Sequence, residues 1–219
     1  MLPNLMDIAI FPLQLIAFPG ERLNLHVFEQ RYRDLFNDLK ADRTMTFGIP
    51  PVVKNEIHLM GTQLKLVEIV KQYETGEMDV ITEGIGAFAI NKIFNPYGDK
   101  AYAGANVEIL LDDDHYDLAK FEELQNLYEE FQAMLTQRKE ILDKDPKKFS
   151  FQIAHYAGLN EEQKLALLAT PSEEERQEIM IDHFKFIMPS MRSIQETQSR
   201  IIANGHFKNL QSFKFNPGK

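Results

Sequence analysis

The chain has 219 residues, of which 44% are hydrophobic, and its formal net charge is −9 at pH 7. This length suits one large domain or two small ones, with enough apolar side chains for a sizeable core. The absence of cysteine excludes disulfide bonds and thiolate zinc sites, so a reducing cytoplasm is the simplest location. No stretch reaches the roughly 18 apolar residues of a membrane-spanning helix, and the interrupted apolar N-terminus predicts a strand rather than a signal peptide. We expect no membrane association.

The acidic charge is divided evenly between the two halves of the chain. Residues 1–112 contain 10 basic and 15 acidic residues, and residues 113–219 contain 14 basic and 18 acidic residues. Neither half therefore has the basic excess that proteins use to neutralise nucleic-acid phosphates. We do not expect nucleic acid to be a partner.

The character of the sequence changes near Asp112. Before it, short β-type runs alternate with Gly, Pro and Asn, and after it helical periodicity dominates. We expect an α+β fold with two domains, 1–112 and 113–219, joined at the cluster Asp112–Asp114. The first domain is predicted to be a β-rich mixed sheet or barrel with one early helix, and the second an antiparallel helical bundle.

Several runs in the first half have the composition of strands. Pro12 interrupts the first run, which suits a strand edge or a bulge, and residues 22–25 alternate as in a short half-buried strand. The turn Glu74–Glu77 joins two strands as in a hairpin. The other runs span residues 7–18, 44–53, 61–84, 86–98 and 102–111.

The stretch "FPGERLNLHVFEQRYRDL" leads from the first strands to the early helix. Apolar residues at spacings of three and four predict a helix in which Phe28 and Tyr32 pack one face against the sheet. Glu29 and Arg33 are expected to pair on the outer face, and Arg31 to hold a neighbouring loop. Because spacing accounts for every charged residue, we interpret this cluster as specifying the fold.

The first long helix of the second half is predicted over residues 118–142. Its apolar residues recur at spacings of three and four, and only Arg138 interrupts them. Two short helices are expected next. The first is predicted to start at Asp145, which precedes a proline as an N-cap does. The second is predicted to start at Asn160, three residues before Gln163.

A second long helix is predicted to start at Thr170 or Ser172 and to end near Asn204-Gly205. Pro189 lies inside this helix and should kink it or divide it in two. The apolar residues of the helix form a stripe, which we expect to pack in the bundle. The stripe comprises Ile179, Phe184, Ile187, Met191, Ile194 and Ile201.

No complete catalytic or phosphate-binding motif occurs in the sequence. Gly84 and Gly86 lack the further glycine and the Lys-Ser/Thr pair of a phosphate loop, and we interpret them as turn or bulge glycines. The six histidines are scattered without the i, i+4 spacing of a helical metal site, and no base is marked for Ser190. Paired carboxylates lie on predicted exposed helix faces. We therefore expect no enzyme activity, no metal and no cofactor.

Ordered pieces of the sequence resemble the Lon protease N-terminal domain, also called the Lon substrate-binding domain. The piece "IFPLQLIAFPGERLNLHVFEQRYRDLF" is similar to the opening of that family, and "FGIP" follows where the family has its next strand. The piece "GTQLKLVEIVKQYETGEMDVITEGIGAFAI" resembles its strand, hairpin and following segment. Ala87 stands where the family usually has a basic residue, so any role of that residue is absent here or is taken over by another residue.

The resemblance implies a PUA-like β domain that recognises polypeptides without catalysing a reaction. The implied partners are unfolded or exposed protein segments, with an ATP-dependent protease in trans as a further partner of an adaptor. A Walker A motif and a Ser-Lys protease domain are not found in the sequence, and a contiguous apolar groove at the joint is expected. The motif positions carried over as candidate binding residues are Phe11, Pro12, Phe18, Arg22, Phe28, Glu29, Arg31 and Tyr32.

Other functions stay open at this point. The resemblance of the first half to PUA-like barrels allows a small-ligand or RNA site, although the acidic charge speaks against RNA. An enzyme of another type would need a pocket with strongly perturbed titratable groups. Exposed apolar residues of the bundle could equally form the seam of a homodimer.

Overall fold

The structure is a computed structural model that describes residues 4–113, 115–135, 141 and 144–211, the last nine of them as backbone only. The strands are β1 (Leu5–Ile10), β2 (Arg22–Val27), β3 (Phe47–Ile49), β4 (Val52–Val53), β5 (Glu56–Ile57), β6 (Met60–Gln72), β7 (Met78–Phe94) and β8 (Ala103–Leu110). The helices are α1 (Gln30–Ala41), α2 (Leu118–Ala133), α3 (Phe149–Ile153), α4 (Glu161–Ala169) and α5 (Glu173–Gln211), with a short 3₁₀ turn at Ala154–Tyr156. Among the described residues, no helix is both long enough and apolar enough to cross a membrane.

The first half is a barrel-like mixed sheet, which confirms the predicted class. The strand order is β2-β7-β6-β3-β1-β8, and a further pairing of β7 with β8 closes the last five strands on one another. Only β1 and β3 run parallel. The run 86–98 is not a separate strand, as the sequence suggested, because β7 continues through it to Phe94. The pairing register of β7 with β6 shifts between Gly84 and Gly86, so these two glycines flank a bulge.

Helix α1 packs against the sheet with four buried residues, which are Tyr32, Leu35, Phe36 and Leu39. The prediction that Phe28 packs beside Tyr32 is wrong. Strand β2 continues to Val27, the helix begins only at Gln30, and Phe28 is 61% exposed between them.

The charged residues at the start of α1 also pair differently from the prediction. Glu29 occupies the N-cap position, and its carboxylate lies 2.8 Å from the guanidinium of Arg31 instead of bonding Arg33. Arg33 donates to the carbonyl of Thr75 and to the side chain of Gln30. Arg33, and not Arg31, therefore holds the hairpin loop between β6 and β7.

The second half is the predicted helical bundle, with different boundaries. Helix α2 ends at Ala133 rather than at residue 142, and the predicted interruption at Arg138 lies outside the described residues. Asp145 opens a turn instead of capping a helix, and α3 begins at Phe149. The capping box of Asn160 and Gln163 at the start of α4 is confirmed.

Helix α5 has 39 residues and is about 58 Å long. Of the two predicted starts, Thr170 and Ser172, the structure has the second, because the Ser172 hydroxyl accepts a hydrogen bond from the Glu175 N–H. The helix is not divided at Pro189, and its backbone continues through Asn204-Gly205 to Gln211. The predicted buried stripe is only partly right, because Ile194 and two other members, Ile179 and Ile201, are exposed. Among the side chains of α5 that the structure describes, the buried apolar ones are Met180, Ile181, Phe184 and Met188.

One hydrophobic core crosses the joint between the two halves. Phe18 and Ala87 of the β half belong to the same buried cluster as Phe149, Phe151 and their neighbours in the helical half. The Phe18 and Phe151 rings stack with centroids 5.4 Å apart. This shared core holds the helical half in place against the barrel, and the domain boundary at residue 112 stays a prediction.

Candidate functional site

Two neighbouring pockets lie at the joint between the barrel and the helices, and His155 lines both of them. We call the two pockets together the joint cleft and each pocket a lobe. The first lobe has a volume of about 210 Å³ and is lined by Pro19, Gly20, Glu21, Ile141, Phe151, Gln152, His155 and Tyr156. The second lobe has a volume of about 220 Å³ and is lined by Gln14, Leu15, Ile16, Pro51, Val52, Val53, His155, Glu161 and Lys164.

The barrel side of the joint cleft is the segment between β1 and β2, which is fastened to the sheet by its main chain. The Thr62 hydroxyl donates to the carbonyl of Ala17 at 2.6 Å. Gly84 of β7 accepts from the Gly20 N–H and donates to the Glu21 carbonyl, each at 2.9 Å. Gly20 itself has a φ of +84°, which the turn at Pro19-Gly20 requires and glycine adopts without strain.

His155 and Glu21 form the polar centre of the joint cleft. The His155 Nε2 atom lies 3.2 Å from Glu21 Oε2, and the same carboxylate oxygen accepts from the Phe18 N–H at 2.9 Å. The imidazole also meets the Phe18 ring edge-on at a centroid distance of 5.0 Å. The contacts with Phe18 therefore hold the pair against the core, while both residues line the first lobe of the cleft.

The walls of the first lobe are mainly apolar, whereas polar and apolar groups line the second lobe in equal share. Leu15, Val52 and Val53 line the second lobe, while Phe151 and the half-exposed Tyr156 line the first. Ligand sites commonly combine such apolar walls with a few convergent polar groups. Within the described residues, no group of three or more histidine and carboxylate side chains could hold a metal ion. This arrangement is suited to binding apolar side chains together with hydrogen-bonding groups.

A buried ionic cluster supports the floor of the joint cleft from the helical side. Arg176 is 1% exposed, and its Nη1 atom donates to Asp112 Oδ1 at 2.8 Å and to the Thr170 carbonyl at 2.7 Å. Its Nε atom donates to Glu173 Oε2 at 2.9 Å, and its guanidinium lies 4.1 Å from the centre of the Phe151 ring. Arg176 thus links helix α5, the end of the barrel and one wall of the cleft.

Glu173 is fully buried within the same cluster. Both of its carboxylate oxygens accept bonds from Ser150, at 3.1 Å from the main-chain N–H and at 2.6 Å from the hydroxyl. Burial raises the pKa of the Glu173 carboxyl above its ordinary value, against the opposing effect of the bonds from Ser150 and Arg176. Ala87, the departure from the family pattern, lies beside Arg176 in a small pocket at the joint.

The eight candidate residues carried over from the family motif do not form one site. Phe11 and Tyr32 are buried and pack with ring centroids 4.1 Å apart in the core beneath α1, next to the partly buried Pro12. Phe18 is buried as well, but it contacts the floor of the joint cleft through Phe151 and His155. It is the candidate that the structure brings to the cleft.

The other four candidates lie on the surface of β2 and at the start of α1. Arg22 is exposed and 3.9 Å from Glu83, while Arg31 pairs with Glu29 and lies over the Tyr32 ring. None of these residues lines either lobe of the joint cleft. No sequence pattern marks His155, because its partner Glu21 is 134 residues away along the chain.

The sequence profile of the ATP-dependent protease La (LON) substrate-binding domain matches residues 7–185. The chain belongs to this family. The matched range contains both sides of the joint cleft, from the segment before β2 to the first part of α5. This substrate-binding domain is non-catalytic, and it is the domain that the comparisons find.

Two solved structures share the fold at low sequence identity. A Lon N-terminal domain protein from Xanthomonas campestris is 21% identical with a TM-score of 0.63, and the match covers 81% of this chain and 98% of that one. The N-terminal domain of a Mycobacterium avium complex Lon protease is 18% identical with a TM-score of 0.61, covering 82% and 98%. No curated protein sequence matches the chain.

Proposed function

We propose that the protein is a cytoplasmic polypeptide-recognition module that captures unfolded or exposed apolar segments of other proteins in the joint cleft. The observation that carries this proposal is the mainly apolar first lobe beside a second lobe of mixed character, with His155 lining both and paired with Glu21. Membership of a substrate-binding family supports the same class of ligand. In this role the protein acts as an adaptor that delivers its ligands to an ATP-dependent protease in trans.

The two lobes favour an extended peptide over a compact small molecule. An extended chain presents side chains that alternate along its length and main-chain groups that need hydrogen-bond partners. The lobes offer separate apolar surfaces, and His155, Gln152 and Lys164 offer polar atoms along the cleft. We expect micromolar affinity and tolerance of different sequences, because an unfolded ligand loses conformational entropy when it binds.

The decisive test compares two exposed aromatic residues in matched variants. Tyr156→Glu places a charge on the wall of the first lobe, whereas Phe28→Glu places the same charge on the β2–α1 surface outside the cleft. Binding is measured by fluorescence anisotropy with a labelled, reduced and carboxymethylated lactalbumin. We expect Tyr156→Glu to weaken binding by about tenfold or more, since a carboxylate must be desolvated, and Phe28→Glu to leave it unchanged.

The opposite pattern, with loss of binding only in Phe28→Glu, would move the site to the motif residues on β2 and α1. Equal thermal unfolding of both variants and the unaltered protein serves as the folding control. If the unaltered protein binds no unfolded polypeptide, the proposed function is wrong. A salt-sensitive complex with RNA would then favour the alternative site in the PUA-like barrel.

A further inference from the structure

Helix α5 carries a second apolar stripe on the side that faces away from the bundle. Its members are Ile179, Phe186, Ile194 and Ile201, whose exposed fractions range from 39% to 83%. At 100° per residue they fall within an arc of about 80° on one helix face. Side chains of this size on one exposed face mark an interaction surface, which we call the outer stripe.

The spacing of the outer stripe is symmetric. Successive members are seven, eight and seven residues apart, so the pattern reads the same in both directions from Ser190. If two copies of α5 pack antiparallel about a two-fold axis at Ser190, Ile179 of one copy faces Ile201 of the other. Phe186 then faces Ile194. An isologous dimer interface requires this kind of self-complementary pattern.

The charges along the chain favour the same antiparallel arrangement. Residues 192–219 contain five basic residues and one acidic residue, whereas residues 1–191 contain 19 basic and 32 acidic residues. Within α5 itself, residues 192–211 contain three basic residues and one acidic residue, whereas residues 173–191 contain two basic and five acidic residues. An antiparallel pairing therefore places the basic end of one helix beside the acidic start of the other. A parallel pairing of two α5 helices would instead bring charges of the same sign together.

Individual charges on α5 fit this register. Arg200 lies on the edge of the outer stripe, and two-fold symmetry places it level with residue 180 of the second copy. Glu178 and Asp182 are exposed on either side of that level, on the same flank of the helix as Arg200. Arg200 of each copy would thus lie between two carboxylates of the other.

The last part of α5 needs a packing partner. Among the residues that the structure describes, its last contacts with α2 and the C-cap of that helix are the ion pair of Arg192 with Glu130 and the bond from Gln195 Nε2 to the Met134 carbonyl. The described side chains from 196 to 202 are all exposed. An isolated helix of this length is marginally stable in water, and the interior Gly205 lowers its stability further. Because α5 is continuous, this part cannot fold back onto its own bundle.

We propose that the protein forms a homodimer in which the outer stripes of two α5 helices pack antiparallel around Ser190. The proposal is independent of polypeptide binding in the joint cleft, since no member of the outer stripe lines that cleft. The dimer holds two clefts in one molecule. A chain that binds both clefts would gain avidity over binding to one.

The first test is sedimentation equilibrium of the full chain with Ile194→Glu and the matched control Ile202→Glu. Ile202 is 67% exposed and close in sequence, but it lies about 100° around the helix from Ile201. We expect a dimer for the unaltered protein and for Ile202→Glu, and at least a tenfold higher dissociation constant for Ile194→Glu. A monomer at about 100 μM unaltered protein, or equal effects of the two variants, would overturn the proposal.

A charge exchange tests the register. Arg200→Asp is expected to weaken the dimer, because it places like charges at the interface, and adding Asp182→Arg in the same chain is expected to restore it. If the double variant is weaker than Arg200→Asp alone, the antiparallel register is wrong. Circular dichroism at one protein concentration confirms that each variant retains its helical bundle.

Discussion

Replacing Arg176 by methionine is expected to lower the free energy of unfolding by about 3–5 kcal/mol, because it leaves the buried carboxylate of Glu173 without its cation. The guanidinium is 1% exposed and donates to Asp112, Glu173 and the Thr170 carbonyl. Methionine fills part of the same volume but donates no hydrogen bond. Chemical denaturation monitored by circular dichroism measures the loss.

The pH dependence of this loss identifies its cause. In the unaltered protein, burial already raises the pKa of Glu173 above the ordinary value of 4.5. A group whose pKa is raised on folding stabilises the folded state below its unfolded pKa, and this stability is lost as the pH rises through the folded pKa. Without Arg176 the pKa of Glu173 in the folded state rises further, so the folded state continues to lose stability up to a higher pH. We expect Arg176→Met to cost less stability at pH 4.5 than at pH 7.

A double variant separates the ionic effect from the packing effect. Arg176→Met combined with Glu173→Leu removes both buried charges, and paired apolar replacements of this kind are often nearly neutral. We expect the double variant to recover much of the lost stability and to lack the part of the pH dependence between pH 4.5 and 7 that Glu173 causes. If it is less stable than Arg176→Met alone, the bonds that Ser150 donates to Glu173 are the main support of the joint.

The sequence predicted the elements of the fold better than their boundaries, and the start of α1 shows why. Apolar spacing continues smoothly from β2 through Phe28 into the helix, so spacing alone cannot locate the boundary at Glu29. The N-cap of α4 was placed correctly because Asn160 and Gln163 form bonds that depend only on local sequence. Helix boundaries that depend on local hydrogen bonds can be predicted from the sequence, whereas boundaries that depend on tertiary packing cannot.

Helix α5 shows a second limit of sequence patterns. Its isoleucines recur at helical spacing on more than one face, and the pattern does not tell which face meets the bundle. The structure buries Phe184 and Met188 and leaves Ile194 and Ile201 exposed. A residue count by halves also concealed the basic excess of residues 192–219, since the acidic residues before them outweigh it.

The joint cleft could not be found from the sequence because distant segments build it. Its walls come from the segment before β2, residues 51–53 at β4, Ile141, the residues around His155 and the start of α4. The family motif marks the first of these segments, and its buried residue Phe18 does reach the cleft floor. The motif thus specifies the framework of the site, while its polar centre of His155 and Glu21 arises only in the folded chain.

Gly84→Ala is expected to lower the free energy of unfolding by about 3 kcal/mol and to weaken polypeptide binding, because the added methyl group meets fixed main chain. A Cβ at Gly84 would lie 2.3 Å from the Phe18 carbonyl oxygen and 3.2 Å from the Thr62 side chain. The carbonyl cannot move away easily, since the same segment bonds Gly84 through Gly20 and Glu21. The segment must separate from β7, which displaces the barrel side of the joint cleft.

Gly86→Ala is the matched control for this prediction, two residues further along the same strand. A Cβ at Gly86 would meet only the Gln63 side-chain oxygen at 3.9 Å, an ordinary contact. We expect this variant to be as stable as the unaltered protein or more stable by up to about 1 kcal/mol, because alanine restricts the unfolded chain. Denaturation midpoints and lactalbumin binding are measured for both variants. Equal stability of the two would show that the contact between Gly84 and Phe18 does not hold the cleft segment, whereas loss of stability and binding in Gly84→Ala alone would show that it does.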